Sequence, residues 1–144
     1  MSMITSLTTE VREQYNNVVR NYFMIDIEHR PWGYFTVLQR GDNYCVKELF
    51  VESDKRISLQ FHRHRTEDWI VVQGSGIITQ GNLEVDAEVG STFFIPIEQR
   101  HRIKGGKNGI RIIEVQRGKC FEDDIVRLQD DFNRIDDYAW RNFG

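Results

Sequence analysis

The chain has 144 residues, of which 40% are hydrophobic and 28% charged, with 11 Gly and only 2 Pro. This is room for one globular domain with its own core, and it excludes collagen-like and low-complexity disordered chains. The formal net charge of −3 offers no overall positive field to a nucleic-acid backbone, and no apolar run approaches the ~18 residues of a membrane helix.

In chain order, residues 1–20 lack the apolar stretch of a secretory leader. Thr8-Thr9-Glu10 reads as a helix start, and Val11, Tyr15, Val18, Val19 and Tyr22 recur at helical spacing. The spacing predicts a short amphipathic helix, packed on the domain or on a second copy. From Arg30 the texture changes to short strand-like runs: Tyr34–Gln39, Tyr44–Val51, Ile57–His62, Trp69–Val72, Gly76–Thr79, Leu83–Val85, Thr92–Ile95, His101–Ile103 and Ile110–Gln116. Turn residues punctuate them at Gly41-Asp42-Asn43, Gly74-Ser75-Gly76, Gly81-Asn82 and Gly105-Gly106-Lys107-Asn108-Gly109. Many short strands at this spacing predict an all-β sandwich or barrel. From Glu122 the chain turns polar and acidic, and a short helical tail is expected. The organisation expected is an N-terminal arm over 1–29, a β-barrel domain over 30–134 and a C-terminal tail over 135–144. Two cysteines, Cys45 and Cys120, are too few for a disulfide framework. The expectation is free thiols in a reducing cytoplasm, with neither nucleic acid nor membrane as partner.

Chemistry concentrates in Gln60-Phe61-His62-Arg63-His64-Arg65-Thr66-Glu67 and at His101. Alternate residues of a strand share a face, so Gln60, His62 and His64 are expected to point into one space. Glu67 opens the next strand, and a later strand bearing His101 would complete a set of nitrogen and oxygen donors. Imidazole with carboxylate suits Zn, Mn, Fe, Ni or Co. The plain alternative is a pair of surface histidines in a polar stretch.

The segments Gln60-x-His62-x4-Glu67-x6-Gly74 and Gly90-x5-Pro96-x-Glu98-x2-His101 resemble the first and second cupin motifs, with Gln60 at the usual first His and Glu98 where Gly is common. The resemblance implies a double-stranded β-helix (jelly-roll) barrel with a metal inside one mouth. Arg30-Pro31-Trp32-Gly33, Ser58-Leu59-Gln60, His64-Arg65-x-Glu67-x-Trp69, Ile113-Glu114-Val115-Gln116-x-Gly118 and Glu122-Asp123-Asp124-Ile125-Val126-Arg127 follow in one order. Together, from Arg30 to about Arg134, they resemble the type II phosphomannose isomerase domain, commonly the C-terminal part of bifunctional mannose-1-phosphate guanylyltransferase/mannose-6-phosphate isomerase. Departures are Asp54, Glu98 and Asn133 where glycines are usual, and Cys120 and Glu122 in a stretch usually reading Tyr-Leu-Gly. No Gly-rich nucleotidyltransferase segment precedes the match, so a stand-alone isomerase without guanylyl transfer is expected.

The resemblance implies a cytoplasmic, metal-dependent isomerase of mannose 6-phosphate and fructose 6-phosphate that supplies GDP-mannose and polysaccharide synthesis. One divalent transition ion per chain is expected, zinc foremost, with Mn, Co, Ni or Fe as alternatives. Its ligands would be Gln60, His62, Glu67 and His101; the competing set replaces Gln60 with His64. Enediol chemistry needs a base, for which His64 and Lys47 are the candidates, although an exposed role for Lys47 is the plainer reading. Phosphate needs guanidinium groups; Arg127 and Arg134 stand where the family places arginines, with salt bridges to nearby aspartates as the alternative. Arg127 completes the catalytic set, and Ser58 joins the substrate-binding one. Residues 55–111 carry nine basic and six acidic side chains, net +3 in an acidic chain, which favours an anionic ligand. Trp32, Trp69, Phe93 and Phe94 are expected in the core, and Arg63, Arg100, Arg102 and Lys104 on solvated faces. The expected partners are a phosphorylated sugar, a second copy in a homodimer, and a separate nucleotidyltransferase. The rival readings are a cupin acting on another phosphorylated or nucleotide-linked sugar, or a sugar-binding cupin without turnover.

Overall fold

The computed structural model describes residues 8–15 and 27–134. Residues 9–15 are helical, and the Thr8 Oγ1 accepts the Val11 N–H at 3.4 Å in the manner of an N-cap. Val11 and Tyr15 of the expected apolar stripe are exposed; Val18, Val19, Tyr22 and the tail beyond Arg134 lie outside the described residues.

Nine strands are present among the described residues: β1 (Ile27–Arg30), β2 (Gly33–Arg40), β3 (Tyr44–Val51), β4 (Leu59–Phe61), β5 (Arg65–Gln80), β6 (Leu83–Glu88), β7 (Thr92–Ile95), β8 (His101–Gly118) and β9 (Val126–Gln129). All their pairings are antiparallel. The spine is β5 against β8: Arg65 to Gly74 lies on Gly118 to Ile110, and Gly76 to Gln80 lies on Gly105 to His101. The first half of this ladder continues into β3, β2 and β1 on one side and β7 on the other; the second half continues into β4 and β9 on one side and β6 on the other. Two sheets therefore share two bent strands and enclose one core of Trp32, Phe35, Leu49, Val51, Ile57, Trp69, Val71, Ile78, Ala87, Ile95, Ile103, Ile110 and Ile112. This is the jelly-roll barrel that the sequence leads one to expect.

Several elements differ from expectation. The runs Trp69–Val72 and Gly76–Thr79 are halves of β5, and His101–Ile103 and Ile110–Gln116 are halves of β8. The Gly-rich run at 105–109 is thus no loop between strands; the register jumps there, leaving residues 106–109 bulged opposite Ser75. Gly74 and Gly109, at φ +74 and +76, supply the left-handed backbone for that bend. The stretch after Glu122 forms β9 rather than starting a helix, because Val126 and Leu128 pack on Phe61 while the backbone pairs with β4. Strand β1 straddles the expected boundary between residues 29 and 30. Arg102 is buried rather than solvated, donating to the carbonyls of Ile57 (2.9 Å) and Gln129 (3.2 Å). Phe94 is exposed on the outer face, whereas Trp32 and Trp69 are in the core and Phe93 packs against it. Asp54, Glu98 and Asn133, the three departures from glycine, are the non-glycine residues with positive φ among the described residues (59°, 66° and 57°). The backbone conformation that favours glycine is kept without it.

Register sets where polarity lies inside the barrel. Facing rows run Val51 and Ile110; Leu49, Ile112 and Val71; Lys47, Glu114 and Trp69; then Cys45, Gln116 and Glu67. All are buried, so the interior passes from wholly apolar to strongly polar over four pairs of residues along the strands.

Candidate functional site

At the polar end, His62, Glu67 and His101 are buried, with ligand atoms all within 4.8 Å of one another. His62 follows the end of β4, Glu67 points inward from β5, and His101 opens β8, where it pairs with both Gln60 and Gln80. Glu67 Oε1 lies 3.1 Å from His62 Nε2, and Oε2 lies 3.8 Å from His101 Nε2. Each imidazole has its other nitrogen on a backbone carbonyl: His62 Nδ1 on Asp124 (2.6 Å) and His101 Nδ1 on Gln99 (2.9 Å). Those carbonyls require protonated Nδ1 atoms, turning both Nε2 atoms toward Glu67, the arrangement that orients metal-ligating histidines.

The donor set passes a test for a divalent transition ion. His101 Nε2 is buried with no hydrogen-bond partner among the described residues, a cost that a cation would remove. Burial pushes His101 down to about 4, against the pull of Glu67, so its ring is neutral at pH 7. Burial also acts to raise the Glu67 carboxyl, but the hydrogen bond and charge of His62, with the Arg65 guanidinium, hold it well below the usual carboxylate range. Two imidazole nitrogens and one carboxylate are ligands for Zn and its neighbours. Gln60 stands beside the three, its Nε2 at 3.5 Å from His62 Nε2 and its Oε1 accepting the Ser58 hydroxyl at 2.7 Å. Buried Ser58 thus orients Gln60 and does not line the cavity.

The cavity, about 140 Å³, is lined by His62, Glu67 and Gln60 together with Lys47, Glu114, Gln116, Glu122 and four arginines: Arg30, Arg65, Arg127 and Arg134. Lys47 is buried rather than exposed and pairs with Glu122, with its Nζ 4.5 Å over the Phe35 ring. Burial would raise the Glu122 carboxyl, but the Lys47 hydrogen bond and charge bring it below its ordinary range. Arg134 meets Asp130 in a fork, Nε to Oδ2 at 2.8 Å and Nη2 to Oδ1 at 3.1 Å, which is the salt-bridge alternative. His64 is the main correction. Strand β4 ends at Phe61, the chain turns, and His64 is exposed beside Arg63, Lys119 and Asp123 in a separate hollow. It shares no space with Gln60 and His62, which removes the competing ligand set.

Five residues of the site, Arg65, Asp124, Glu114, Gln116 and the cavity-lining Glu122, were not singled out by function from sequence. Arg65 donates Nε to Glu67 at 3.1 Å, Nη1 to the Phe121 carbonyl at 3.0 Å, and approaches His62 Nε2 with Nη2 at 3.3 Å. Asp124 accepts the backbone N–H groups of Arg63 (2.9 Å) and His64 (3.0 Å), fixing the turn that carries His62. Glu114 and Gln116 alternate inward with Ile110 and Ile112, and that period of two is the signal that could have found them.

Trp69 Nε1 donates to both Glu67 Oε2 and Glu114 Oε2 at 3.0 Å. Burial, then the Glu67 charge and hydrogen bond, push the Glu114 carboxyl up to about 8. A carboxyl raised above its unfolded value of ~4.3 leaves the native state holding the extra proton, so stability falls as pH climbs between the two values. In metal-free protein, Glu114→Gln should melt close to wild type near about pH 5 and several degrees higher near about pH 8.5. The same melting difference at both pH values would show that Glu114 ionises normally.

The family model described as Mannose-6-phosphate isomerase C-terminal matches residues 18–130. The chain is 39% identical over 108 residues to the xanthan biosynthesis protein XanB of Xanthomonas campestris pv. campestris (strain B100), covering 74% of this chain and 23% of that protein. It is 37% identical over 131 residues to a putative mannose-1-phosphate guanylyltransferase of Vibrio cholerae serotype O1, covering 89% and 26%. The chain spans about a quarter of the length of these curated relatives. An RmlC-like cupin from Shewanella frigidimarina NCIMB 400 superposes with a TM-score of 0.62 at 19% identity, over 68% of this chain and 86% of that one, which shows the cupin fold. Fold, motif order and family match agree: the chain belongs to the mannose-6-phosphate isomerase C-terminal family of cupins.

Proposed function

We propose that the chain is a metal-dependent aldose–ketose isomerase that interconverts mannose 6-phosphate and fructose 6-phosphate. The observation that carries the reading is the buried His62, Glu67 and His101 group at a cavity that also holds Lys47, Glu122 and Arg127, in a chain of this family. The relatives named for xanthan synthesis and for mannose 1-phosphate guanylylation support polysaccharide precursor supply as its setting.

From aldose to ketose, the C2 proton moves to C1 and the O2 proton moves to O1, through an enediol. When bound by His62, Glu67 and His101, a divalent ion would supply Lewis-acid polarisation of the sugar oxygens. Gln60 stands next to that group, oriented by Ser58. Glu122, kept ionised by Lys47, takes the proton from C2 and returns it to C1, while the Lys47 ammonium holds negative charge developing on the oxygens. Trp32 and Phe35, buried at the cavity wall, limit water there. Arg127, on β9, holds the phosphate; Arg134 contributes through the position of its fork with Asp130. His64 has no part in the reaction.

The test is a coupled assay of mannose 6-phosphate conversion with Zn, Mn or Co added in turn. Turnover of about 1 per second or more, lost in EDTA and restored by metal, is the expected result. Protein that holds metal and turns over mannose 6-phosphate with none of the ions would overturn it.

A further inference from the structure

We infer that Gln116 is the specificity-determining residue of the cavity: its side-chain oxygen reads one hydroxyl of the ligand beside the metal group. The inference rests on the sugar-phosphate reading above and deepens it.

Gln116 is 1% exposed and lines the cavity. It sits on β8 directly across from Glu67, so the two side chains share a face one strand apart. Its Nε2 donates to Glu114 Oε1 at 2.7 Å, which fixes the direction of the amide. Its Oε1 is buried and has no hydrogen-bond partner among the described residues. A buried orphan acceptor is costly unless something completes it.

No donor among the described residues reaches this oxygen, and three of the nearby ones are committed elsewhere. Trp69 Nε1 is divided between Glu67 and Glu114. Arg65 directs its guanidinium to Glu67, Phe121 and His62, and Lys47 pairs with Glu122. The partner must therefore enter from the cavity and must bring a proton. A hydroxyl does; a phosphate or carboxylate does not, and would face an amide oxygen beside the Glu67 carboxylate. Gln116 thus draws the hydroxyl-bearing end of a ligand inward and leaves its anionic end to Arg127. Acceptor-only ligands such as oxalate are disfavoured at this wall.

Calorimetric titration of metal-loaded protein tests this, with mannose 6-phosphate, its 2-, 3- and 4-deoxy analogues, oxalate and inorganic phosphate as probes. Wild type should bind one deoxy analogue about tenfold or more weaker than the parent sugar. Gln116→Met, near in shape but without the acceptor, should bind the parent as weakly as that analogue and no longer tell them apart. Its metal content and its affinity for inorganic phosphate should equal those of wild type. Discrimination retained by Gln116→Met would overturn this inference alone, as would a variant that loses phosphate and metal together. Should the variant not fold, the Gln116 side-chain NH₂ resonances of ¹⁵N-glutamine-labelled wild type decide: they must shift with mannose 6-phosphate and not with the weak analogue. Wild type that takes inorganic phosphate but none of the sugars would overturn this inference together with the isomerase reading.

Discussion

His101→Ala should lower divalent metal from about one ion per chain to background, read by elemental analysis of protein purified without chelator and then reloaded. His101 is fully buried at the start of β8, and its unpartnered Nε2 faces Glu67. Losing an outer partner of a metal ligand costs about 10–100-fold in affinity, and losing one of three ligands costs more. The barrel should survive, because the change leaves the apolar core of Val51, Val71, Ile78, Ile103, Ile110 and Ile112 whole. Retention of stoichiometric metal by folded His101→Ala would remove His101 from the ligand set. His62→Ala should behave alike, with an added loss of order where Asp124 meets His62 Nδ1.

Gly74→Ala should cost about 3 kcal/mol or more, lowering Tm by about 10 °C in a domain of this size. Gly74 has φ +74, and a Cβ there would lie 2.1 Å from the Gly109 carbonyl oxygen and 3.3 Å from Ile110 Cα. The obstacle is the backbone of the facing strand at the bend of β5, so no side chain can rotate away to relieve it. Gly90→Ala is the control: φ is +92, yet nothing lies within 4 Å of the new methyl. It should cost only the conformational term, on the order of 1 kcal/mol. If Gly74→Ala melts no earlier than Gly90→Ala, the bend is looser than described.

The fold was legible in the sequence where periodicity and turn chemistry agree. Tyr44–Val51 and Thr92–Ile95 coincide with β3 and β7 because alternating burial runs to a clear stop at each end. The bent strands were not legible. Gly74-Ser75-Gly76 and Gly105 to Gly109 look like turns, and only the cross-strand ladder between them makes each a bend within one strand. Likewise, Val126 and Leu128 become a strand by packing on Phe61, a contact no local signal in an acidic tail announces. In the site, the motif spacing located His62, Glu67 and His101, while strand alternation carried one step too far misplaced His64, since β4 ends before it. Lys47, Glu114 and Gln116 alternate with Leu49, Val51, Ile110 and Ile112, so their inward direction was in the pattern. Their burial as polar groups was not, because it depends on Glu122, Trp69 and one another.

Because β5 and β8 belong to both sheets, neither sheet has a boundary of its own at which to come apart. Peeling β6 from one side or β1 from the other leaves the spine intact, whereas parting β5 from β8 dissolves both sheets in one event. Unfolding should accordingly be cooperative, with hydrogen-exchange protection highest along Trp69 to Val71 and Ile110 to Glu114 and lower at β1, β6 and β9. The residues proposed to hold the metal come from segments up to about forty positions apart, and they meet only once that spine has closed. The same closure that makes such a barrel slow to form makes its site all-or-none: chains with the spine open have no site to offer.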